Sequence, residues 1–252
     1  MTDIILSGCG GKMGKNIANC VSGRDDCRII AGIDLKADEN SPFPIYTSAD
    51  KFNGKADVVI DFSHPSALDS IVDYAVRTGT PAVIATTGLS AEQTEKIHEA
   101  SKKVPMFFTA NMSLGVSLLT ELAQKAARVL GNDFDIEIIE RHHNQKIDAP
   151  SGTALMLADA ISSQLEGDTK YEYDRHSKRE KRSKNEIGIH AVRGGTIVGE
   201  HEIMFAGNDE IITLSHSARS KQIFAVGAVN AALFLKGKEP GLYTMKELVE
   251  AK

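Results

Sequence analysis

The chain has 252 residues, of which 42% are hydrophobic and 25% are charged, as is typical of a globular protein with its own buried core. Its formal net charge of −5 excludes the overall basic field of a nucleic-acid-binding protein. The longest nearly apolar stretch, 224–235, is too short to span a bilayer, which needs about 20 residues.

The N-terminus and the cysteines indicate a cytoplasmic protein. The first residues contain no basic segment and no cleavage site for secretion. The three cysteines, Cys9, Cys20 and Cys27, form no C-x-x-C pair, so the sequence predicts reduced thiols rather than a disulfide framework or a zinc ribbon.

The first hundred residues alternate short β-branched runs with helical patterns. Strands are predicted at 4–6, 28–34, 57–61, 81–85 and 105–109, and helices at 12–22, at 65–77 and after the capping residue Ser90. The polar, proline-bearing stretch 36–47 is predicted to be a loop. Because apolar strands that alternate with helices are typical of parallel strands buried on both faces, an α/β fold with a Rossmann-like, doubly wound parallel sheet is predicted.

A different pattern begins after residue 113. Helices are predicted at 113–130 and 151–165, and strands at 134–139, 187–192, 196–205 and 211–217, with glycine-rich turns between the last three. This pattern predicts a second, α+β domain with a mixed or antiparallel sheet. Helices at 222–235 and 245–249, for which no partner strand is predicted, should return to the first domain. The domains are therefore expected at 1–113, completed by 222–252, and at 114–221.

Two features of the second domain are interpreted as structural. The stretch 170–186 mixes basic and acidic residues with few apolar ones, which favours a solvated loop over a nucleic-acid-binding arm. His190, His201 and His216 lie inside strand patterns, where packing or subunit contact is the default interpretation.

A glycine cluster, Gly8-Cys9-Gly10-Gly11-Lys12-Met13-Gly14, follows the first strand and opens the first helix. Met13 occupies the place of the third glycine of G-x-G-x-x-G, but the shifted spacing of Gly8, Gly11 and Gly14 still allows a tight turn and close approach to a pyrophosphate. Asp34 ends the second strand about twenty residues later, where a carboxylate accepts hydrogen bonds from ribose hydroxyls. This combination predicts a dinucleotide site.

Small polar residues follow two further strands, at the edge of the sheet where ligands bind in open parallel folds. Thr86, Thr87, Ala110 and Asn111 are therefore candidates for the nicotinamide end of the site, although each could equally cap a helix. His64 stands before Pro65, so a turn at the start of a helix is favoured over catalysis there.

The segment 140–153, Glu-Arg-His-His-Asn-Gln-Lys-Ile-Asp-Ala-Pro-Ser-Gly-Thr, contains the densest candidate chemistry. His142 and His143 can exchange protons near neutral pH, and Lys146 offers a cation to a carboxylate. The backbone N–H groups of Gly152 and Thr153 stand at a predicted helix start, which is a site for a second carboxylate. A metal site is disfavoured because adjacent residues of a strand point to opposite faces.

This segment closely resembles the signature of the 4-hydroxy-tetrahydrodipicolinate reductase family, formerly called dihydrodipicolinate reductase, of the diaminopimelate route to lysine. Further resemblances, at Gly8 to Gly14, 85–88, 111–116, 193–195 and 199–201, extend over essentially the whole chain. The resemblance implies a nicotinamide-dependent reduction of a small dicarboxylate with loss of water, and a homotetramer assembled through the second, substrate-binding domain.

The resemblance also implies roles for individual residues. His142 would donate or accept the catalytic proton, and Lys146 would donate a proton and pair with a substrate carboxylate. Substrate would also contact His143, Gly152 and Thr153. The cofactor would contact Gly8, Cys9, Gly10, Gly11, Lys12, Met13, Asp34, Ala85, Thr86, Thr87, Thr109, Ala110, Asn111 and Met112.

One position departs from the family pattern. Members that use NADPH well often carry Arg directly after the acidic residue, whereas this chain has Leu35 there, followed by Lys36. We therefore expect NADH to bind at least as well as NADPH, with use of both left open. Two alternative functions remain open. The protein could be another Rossmann-fold reductase of an amino-acid-derived dicarboxylate, or a non-catalytic NADH-sensing module, which would not need the paired imidazoles.

Overall fold

The computed structural model describes residues 1–36, 40–109 and 111–251. The predicted cofactor residue Ala110 lies outside the described residues, as do residues 37–39 of the predicted loop. The chain divides into two compact units. Unit 1 comprises Met1–Leu114 and Lys221–Lys252, and unit 2 comprises Gly115–Ser220. Over the described part of the chain, no helix combines the length and apolar character that crossing a membrane would require.

Twelve strands and seven α-helices are present in the described residues. The strands are β1 (Thr2–Ser7), β2 (Cys27–Ile33), β3 (Ile45–Tyr46), β4 (Val58–Asp61), β5 (Ala82–Ile84), β6 (Pro105–Phe108), β7 (Asp135–His142), β8 (Lys170–Glu172), β9 (Glu186–Arg193), β10 (Gly199–Ala206), β11 (Ile211–Ala218) and β12 (Gly241–Tyr243). The helices are α1 (Lys12–Ser22), α2 (Leu68–Thr78), α3 (Ala91–Ser101), α4 (Leu114–Leu130), α5 (Gly152–Ser162), α6 (Gln222–Leu235) and α7 (Met245–Glu250).

A parallel seven-stranded sheet in the order β12-β6-β5-β4-β1-β2-β3 forms the centre of unit 1. Its inner strands are buried on both faces, because α1 and α6 cover one face and α2 and α3 cover the other. This confirms the predicted Rossmann-like, doubly wound sheet. The strand order reverses between β1 and β4, which is where open parallel sheets form a ligand-binding crevice at their carboxyl edge.

Unit 2 is built on a mixed five-stranded sheet in the order β11-β10-β7-β9-β8, which confirms the predicted mixed sheet. β10 runs antiparallel to both β7 and β11, whereas β9 is parallel to β7 and β8. Helices α4 and α5 pack on one face of this sheet, against an apolar cluster that includes Ile138, Ile189, Ile203 and Phe205.

Two short strands, β3 and β12, correct the sequence-based predictions. The predicted loop 36–47 contains β3, which pairs in parallel with the end of β2. β12 lies between the two C-terminal helices and pairs with β6, so these helices do have an associated strand. Strands of two or three residues carry too few side chains to show an alternating pattern, and neighbouring strands define them instead.

The prediction of a solvated loop at 170–186 is confirmed for 173–185, which form no strand or helix and are mostly exposed, but it was wrong for the two ends of the segment. The segment begins with β8, and its basic side chains pair with carboxylates that are largely buried. Arg175 pairs with Glu186, and Lys178 pairs with Glu172. The mixed charges of this segment therefore neutralise one another on the edge of the sheet.

Candidate active site

The loop after β1 can be formed only by small residues at two of its positions. Gly8 has a φ of +77°, and a Cβ there would lie 2.5 Å from the carbonyl oxygen of Phe62. A Cβ at Gly14 would lie 2.2 Å from the carbonyl oxygen of Gly8. Helix α1 begins directly after Gly11, and no side chain caps it. A glycine loop that leads into an uncapped helix start is suited to a phosphate.

A cavity of about 460 Å³ opens between this loop and the end of β4. Asp34 lines it, and its Oδ2 accepts a hydrogen bond from the Gly10 N–H at 2.9 Å. Leu35 also lines it and is 89% exposed. The acidic residue predicted to bind ribose hydroxyls and the loop predicted to bind pyrophosphate thus border one cavity. These residues fit an adenine dinucleotide.

A buried carboxylate, Asp61, organises the neighbouring strand ends. The Thr86 hydroxyl donates to Asp61 Oδ2 at 2.6 Å, and the Ser63 hydroxyl donates to Oδ1 at 2.6 Å. Asp61 is fully buried and ends β4. Sequence reasoning identified Thr86 but not Asp61, although an acid at the end of an otherwise apolar strand was the available signal.

The other predicted cofactor residues of unit 1 differ in burial. Those with buried side chains are Cys9, Ala85 and Met112. The half-buried residues are Gly8, Met13, Thr109 and Asn111, and the exposed ones are Gly10, Gly11, Lys12 and Thr87. Cys9 packs into the core beneath the loop and does not line the cavity. His64 caps a 3-10 turn at Pro65–Ala67 through its ring nitrogen, in agreement with the favoured interpretation.

In unit 2, one face of β7 changes from apolar to polar along the strand. Ile136 and Ile138 pack beneath the helices, and Glu140 and His142 follow on the same face because side chains alternate along a strand. The sheet register places His201 of β10 beside Glu140, and Arg193 of β9 beside His142. The reactive segment therefore begins where the apolar core of the unit ends.

The Glu140 carboxylate is fully buried and accepts hydrogen bonds from three groups. Its Oε2 lies 2.6 Å from His142 Nδ1, its Oε1 lies 3.0 Å from the Ser151 backbone N, and the Arg193 guanidinium contacts both oxygens at 2.7 Å. Burial alone would raise the pKa of Glu140, but Arg193, His142 and the Ser151 N–H together hold it below its usual range. Glu140 is therefore ionised at neutral pH.

His201 supports the same cluster from β10. Its Nε2 lies 3.0 Å from the Ser151 hydroxyl, and its ring meets the His142 ring edge-on, with the centroids 5.3 Å apart. Burial, together with the nearby His142, lowers the pKa of His201 to about 4. His201 is therefore neutral at physiological pH, and it is not only a packing residue as predicted.

Two of the predicted substrate residues, Gly152 and Thr153, open helix α5. Ser151 caps this helix by accepting a hydrogen bond from the Ala154 N–H, and Gly152 is exposed at its first position. Lys146 Nζ lies 2.9 Å from Asp148 Oδ1, and this pairing lowers the pKa of Asp148. An anionic substrate near the ammonium would compete with this exposed carboxylate.

His143 and Thr153, two of the predicted substrate residues, are each half-buried. His143 follows the last residue of β7, so of the two adjacent histidines only His142 lies on the helix-covered face of the strand. Within the described ranges, which omit 37–39, 110 and 252, no three His, Cys, Asp or Glu residues are grouped so as to hold a metal ion.

Sequence reasoning missed Glu140, Arg193 and His201 as members of this cluster. Glu140 is two residues from His142, a spacing that places both on one face of a strand. Arg193 lies in an Arg-Gly-Gly motif and His201 in a Gly-Glu-His motif, and each of these motifs indicates the family but no contact with Glu140. Their proximity to Glu140 follows from sheet register, which no local pattern reveals.

Both units match one known protein family. Residues 2–112 match the family described as dihydrodipicolinate reductase, N-terminus, and residues 115–249 match dihydrodipicolinate reductase, C-terminus. A 4-hydroxy-tetrahydrodipicolinate reductase of Caldanaerobacter subterraneus subsp. tengcongensis is 52% identical over 250 residues, covering 99% of each chain. One of Clostridium novyi is 50% identical over 252 residues, covering 100% of each.

The fold has a similar counterpart among solved structures. A dipicolinate-bound dihydrodipicolinate reductase from Paenisporosarcina sp. TG-14 superposes with a TM-score of 0.83 at 25% identity, covering 97% of each chain. The sequence and structural likenesses thus extend through both units.

Proposed function

Because the chain belongs to the dihydrodipicolinate reductase family, we propose that the residues of its two candidate sites carry out the separate tasks of the family's reaction. The chain is an oxidoreductase that reduces 4-hydroxy-tetrahydrodipicolinate to tetrahydrodipicolinate with loss of water, in the diaminopimelate route to lysine. It uses a nicotinamide cofactor. The tasks are to hold that cofactor, to hold a dicarboxylate and to supply a proton.

Unit 1 holds the cofactor in this proposal. The loop from Gly8 to Met13 and the start of α1 bind the pyrophosphate, and Asp34 binds the adenosine ribose. Residues 85–87 and 109–112 bind the nicotinamide end. When bound, the cofactor supplies a hydride to the ring carbon that loses its hydroxyl as water.

Unit 2 holds the substrate and moves the proton. The carbon next to the site of hydride addition must gain a proton, and we assign this transfer to His142. Its Nδ1 is bonded to Glu140 at 2.6 Å, so Nε2 is the nitrogen that remains to exchange a proton. Lys146 pairs with one substrate carboxylate, and the N–H groups of Gly152 and Thr153 receive the other, beside His143.

The single observation that supports this proposal most strongly is the Glu140–His142 contact beside the start of α5. This contact supports an assignment in which an oriented proton-transfer group lies next to an anion-binding helix terminus, a combination that a reductase of a dicarboxylate needs. A site that only senses NADH would have no use for it.

Steady-state kinetics of three variants test these assignments, with enzymatically generated substrate and loss of absorbance at 340 nm. His142→Gln should lower kcat by about 10²–10⁴-fold with nearly unchanged KM. Lys146→Ala should raise KM and lower kcat, whereas Lys146→Arg should restore binding better than turnover. A His142→Gln enzyme with near-normal kcat would remove this residue from the mechanism.

We further propose that NADH binds at least as well as NADPH. A carboxylate at Asp34 accepts hydrogen bonds from a 2′-hydroxyl but repels a 2′-phosphate, and exposed Leu35 offers that phosphate no cation. The dissociation constants of both cofactors at physiological salt test this. A tenfold preference for NADPH, which corresponds to about 1.4 kcal/mol, would contradict it.

A further inference from the structure

The Glu140 carboxylate joins two parts of the reactive segment that lie eleven residues apart. Oε2 contacts the His142 ring, and Oε1 accepts the backbone N–H of Ser151, the residue that caps α5. One carboxylate therefore ties the proposed proton-transfer group to the helix start proposed to bind a substrate carboxylate.

The contacts of Glu140 also determine the protonation pattern of His142. An ionised carboxylate has no proton to donate, so the imidazole must donate from Nδ1. In the neutral ring this leaves the lone pair on Nε2, and in the charged ring it leaves an Nε2 proton. Without the carboxylate, the neutral ring could carry its proton on either nitrogen.

Arg193 keeps this carboxylate charged and fixed in a buried place. A buried charge is strongly unfavourable unless it is paired, and the two parallel 2.7 Å contacts from the guanidinium supply that pairing. The same guanidinium donates to the Asp148 carbonyl oxygen at 2.6 Å. Arg193 thus holds Glu140 from β9 and also contacts the loop between Lys146 and α5.

We propose that Glu140, held by Arg193, is a positioning residue that keeps His142 in its Nδ1–H form and aligns it with the start of α5. The inference rests on the proposed role of His142 and adds to it. Glu140 acts through the imidazole and contacts neither substrate nor cofactor itself.

The strand carries a matched control for this role. Glu137, three residues earlier on β7, also bonds a histidine and an arginine, with His190 Nε2 at 2.7 Å and Arg182 Nε at 3.1 Å. Its side chain lies on the opposite face of the strand from Glu140. Glu137→Gln therefore removes a similar carboxylate from the same strand without touching the reactive segment.

A double-mutant cycle in the full-length enzyme tests the proposal. Glu140→Gln should lower kcat by about 10²-fold in the native background, because the amide no longer enforces the Nδ1–H form. In the His142→Gln background the same substitution should change kcat by less than about threefold, since the group through which it acts is gone. Glu137→Gln should leave kcat unchanged in both backgrounds, and none of the variants should alter the dissociation constant of NADH.

A spectroscopic measurement reports the tautomer directly. In ¹⁵N-histidine-labelled enzyme at alkaline pH, the His142 ring, identified by its loss in His142→Gln, should show a protonated Nδ1. In Glu140→Gln, whose amide can donate to Nδ1, the protonated nitrogen should become Nε2. If Glu140→Gln does not fold, Arg193→Lys provides the test, because lysine keeps the positive charge but cannot contact both carboxylate oxygens as the guanidinium does. Arg193→Lys should lower kcat by less than Glu140→Gln would, and it should cause no further loss of kcat in the His142→Gln background.

The outcomes separate this inference from the proposal on which it rests. If His142→Gln alone retains near-normal kcat, the proposed proton transfer fails. If His142→Gln is impaired but Glu140→Gln is not, or if the two losses multiply, the proton transfer stands and the positioning role of Glu140 is wrong. An unchanged tautomer in Glu140→Gln would also overturn the positioning role.

Discussion

His201 should make the stability of unit 2 depend on pH. Its pKa is about 4 in the folded chain, because burial and the nearby His142 disfavour the charged ring. In an unfolded chain an imidazole has a pKa of about 6.5. Between these values the unfolded chain binds more protons than the folded one, so stability is fully present above about pH 6.5 and is lost as the pH falls towards 4.

The size of the effect follows from this difference in pKa. Each pH unit inside the window changes the free energy of unfolding by about 1.4 kcal/mol for one group. From pH 7.5 to pH 5 the protein crosses about 1.5 units of the window, so His201 should account for a loss of about 2 kcal/mol. His216, whose pKa burial also lowers, adds a loss of the same sign.

Urea unfolding of His201→Gln and its parent measures this loss. Glutamine can still form a hydrogen bond with the Ser151 hydroxyl but does not titrate. Between pH 7.5 and pH 5 the free energy of unfolding of the variant should therefore fall by about 2 kcal/mol less than that of its parent. The chain has no tryptophan, so a Tyr173→Trp background gives unit 2 its own fluorescence signal at a fixed protein concentration. His98→Gln, at a half-exposed surface histidine, should show the parental loss. Equal losses in His201→Gln and its parent would refute the reasoning.

Three further outcomes are expected. Gly199→Ala would place a Cβ 3.1 Å from His142 Nε2, and because Glu140 holds the ring it should lower kcat about tenfold with little change in NADH affinity. Gly14→Ala should abolish measurable cofactor binding, since its Cβ meets backbone at 2.2 Å, and retained affinity would contradict this account of the loop. We also propose that a homotetramer assembles through unit 2, whose sheet has only one face covered by its helices. Replacing 115–220 with a short linker should then leave a cofactor-binding monomer, and tetrameric light scattering from that protein would disprove this.

Local periodicity predicted the long elements of the fold accurately. The predicted helices at 12–22 and 222–235 coincide with α1 and α6, and Ser90 caps α3 as expected. These segments carry their own signals, because a glycine loop, a capping side chain and an apolar surface all lie within the helix or beside it. β8 carries no such signal, since its three residues lie in a charged run and become a strand only by pairing with β9.

The residues of the candidate site were likewise predictable only where they lie close together in the sequence. His142, Lys146, Gly152 and Thr153 lie within twelve residues, so their chemistry is visible as one cluster in the sequence. Arg193 is more than fifty residues from Glu140, and their contact depends on the parallel register of β7 and β9. A sequence pattern shows which side chains share a strand face, whereas the sheet determines which of them meet across strands.

One face of β7 changes from apolar to polar along the strand, so its first residues contribute to the stability of unit 2 and its last residue contributes to the proposed activity. Ile138 lies fully buried in the core beneath the helices, so Ile138→Ala should destabilise unit 2 by about 2–5 kcal/mol. His142, four residues along the same face, contacts a charged network rather than the core, and its loss removes a proton carrier but little apolar packing. Glu140 stands between them, where burial makes its charge unfavourable unless Arg193 is present. The strand therefore anchors the reactive imidazole to the core through one buried ion pair, and loss of either partner should affect both the folding and the chemistry of unit 2.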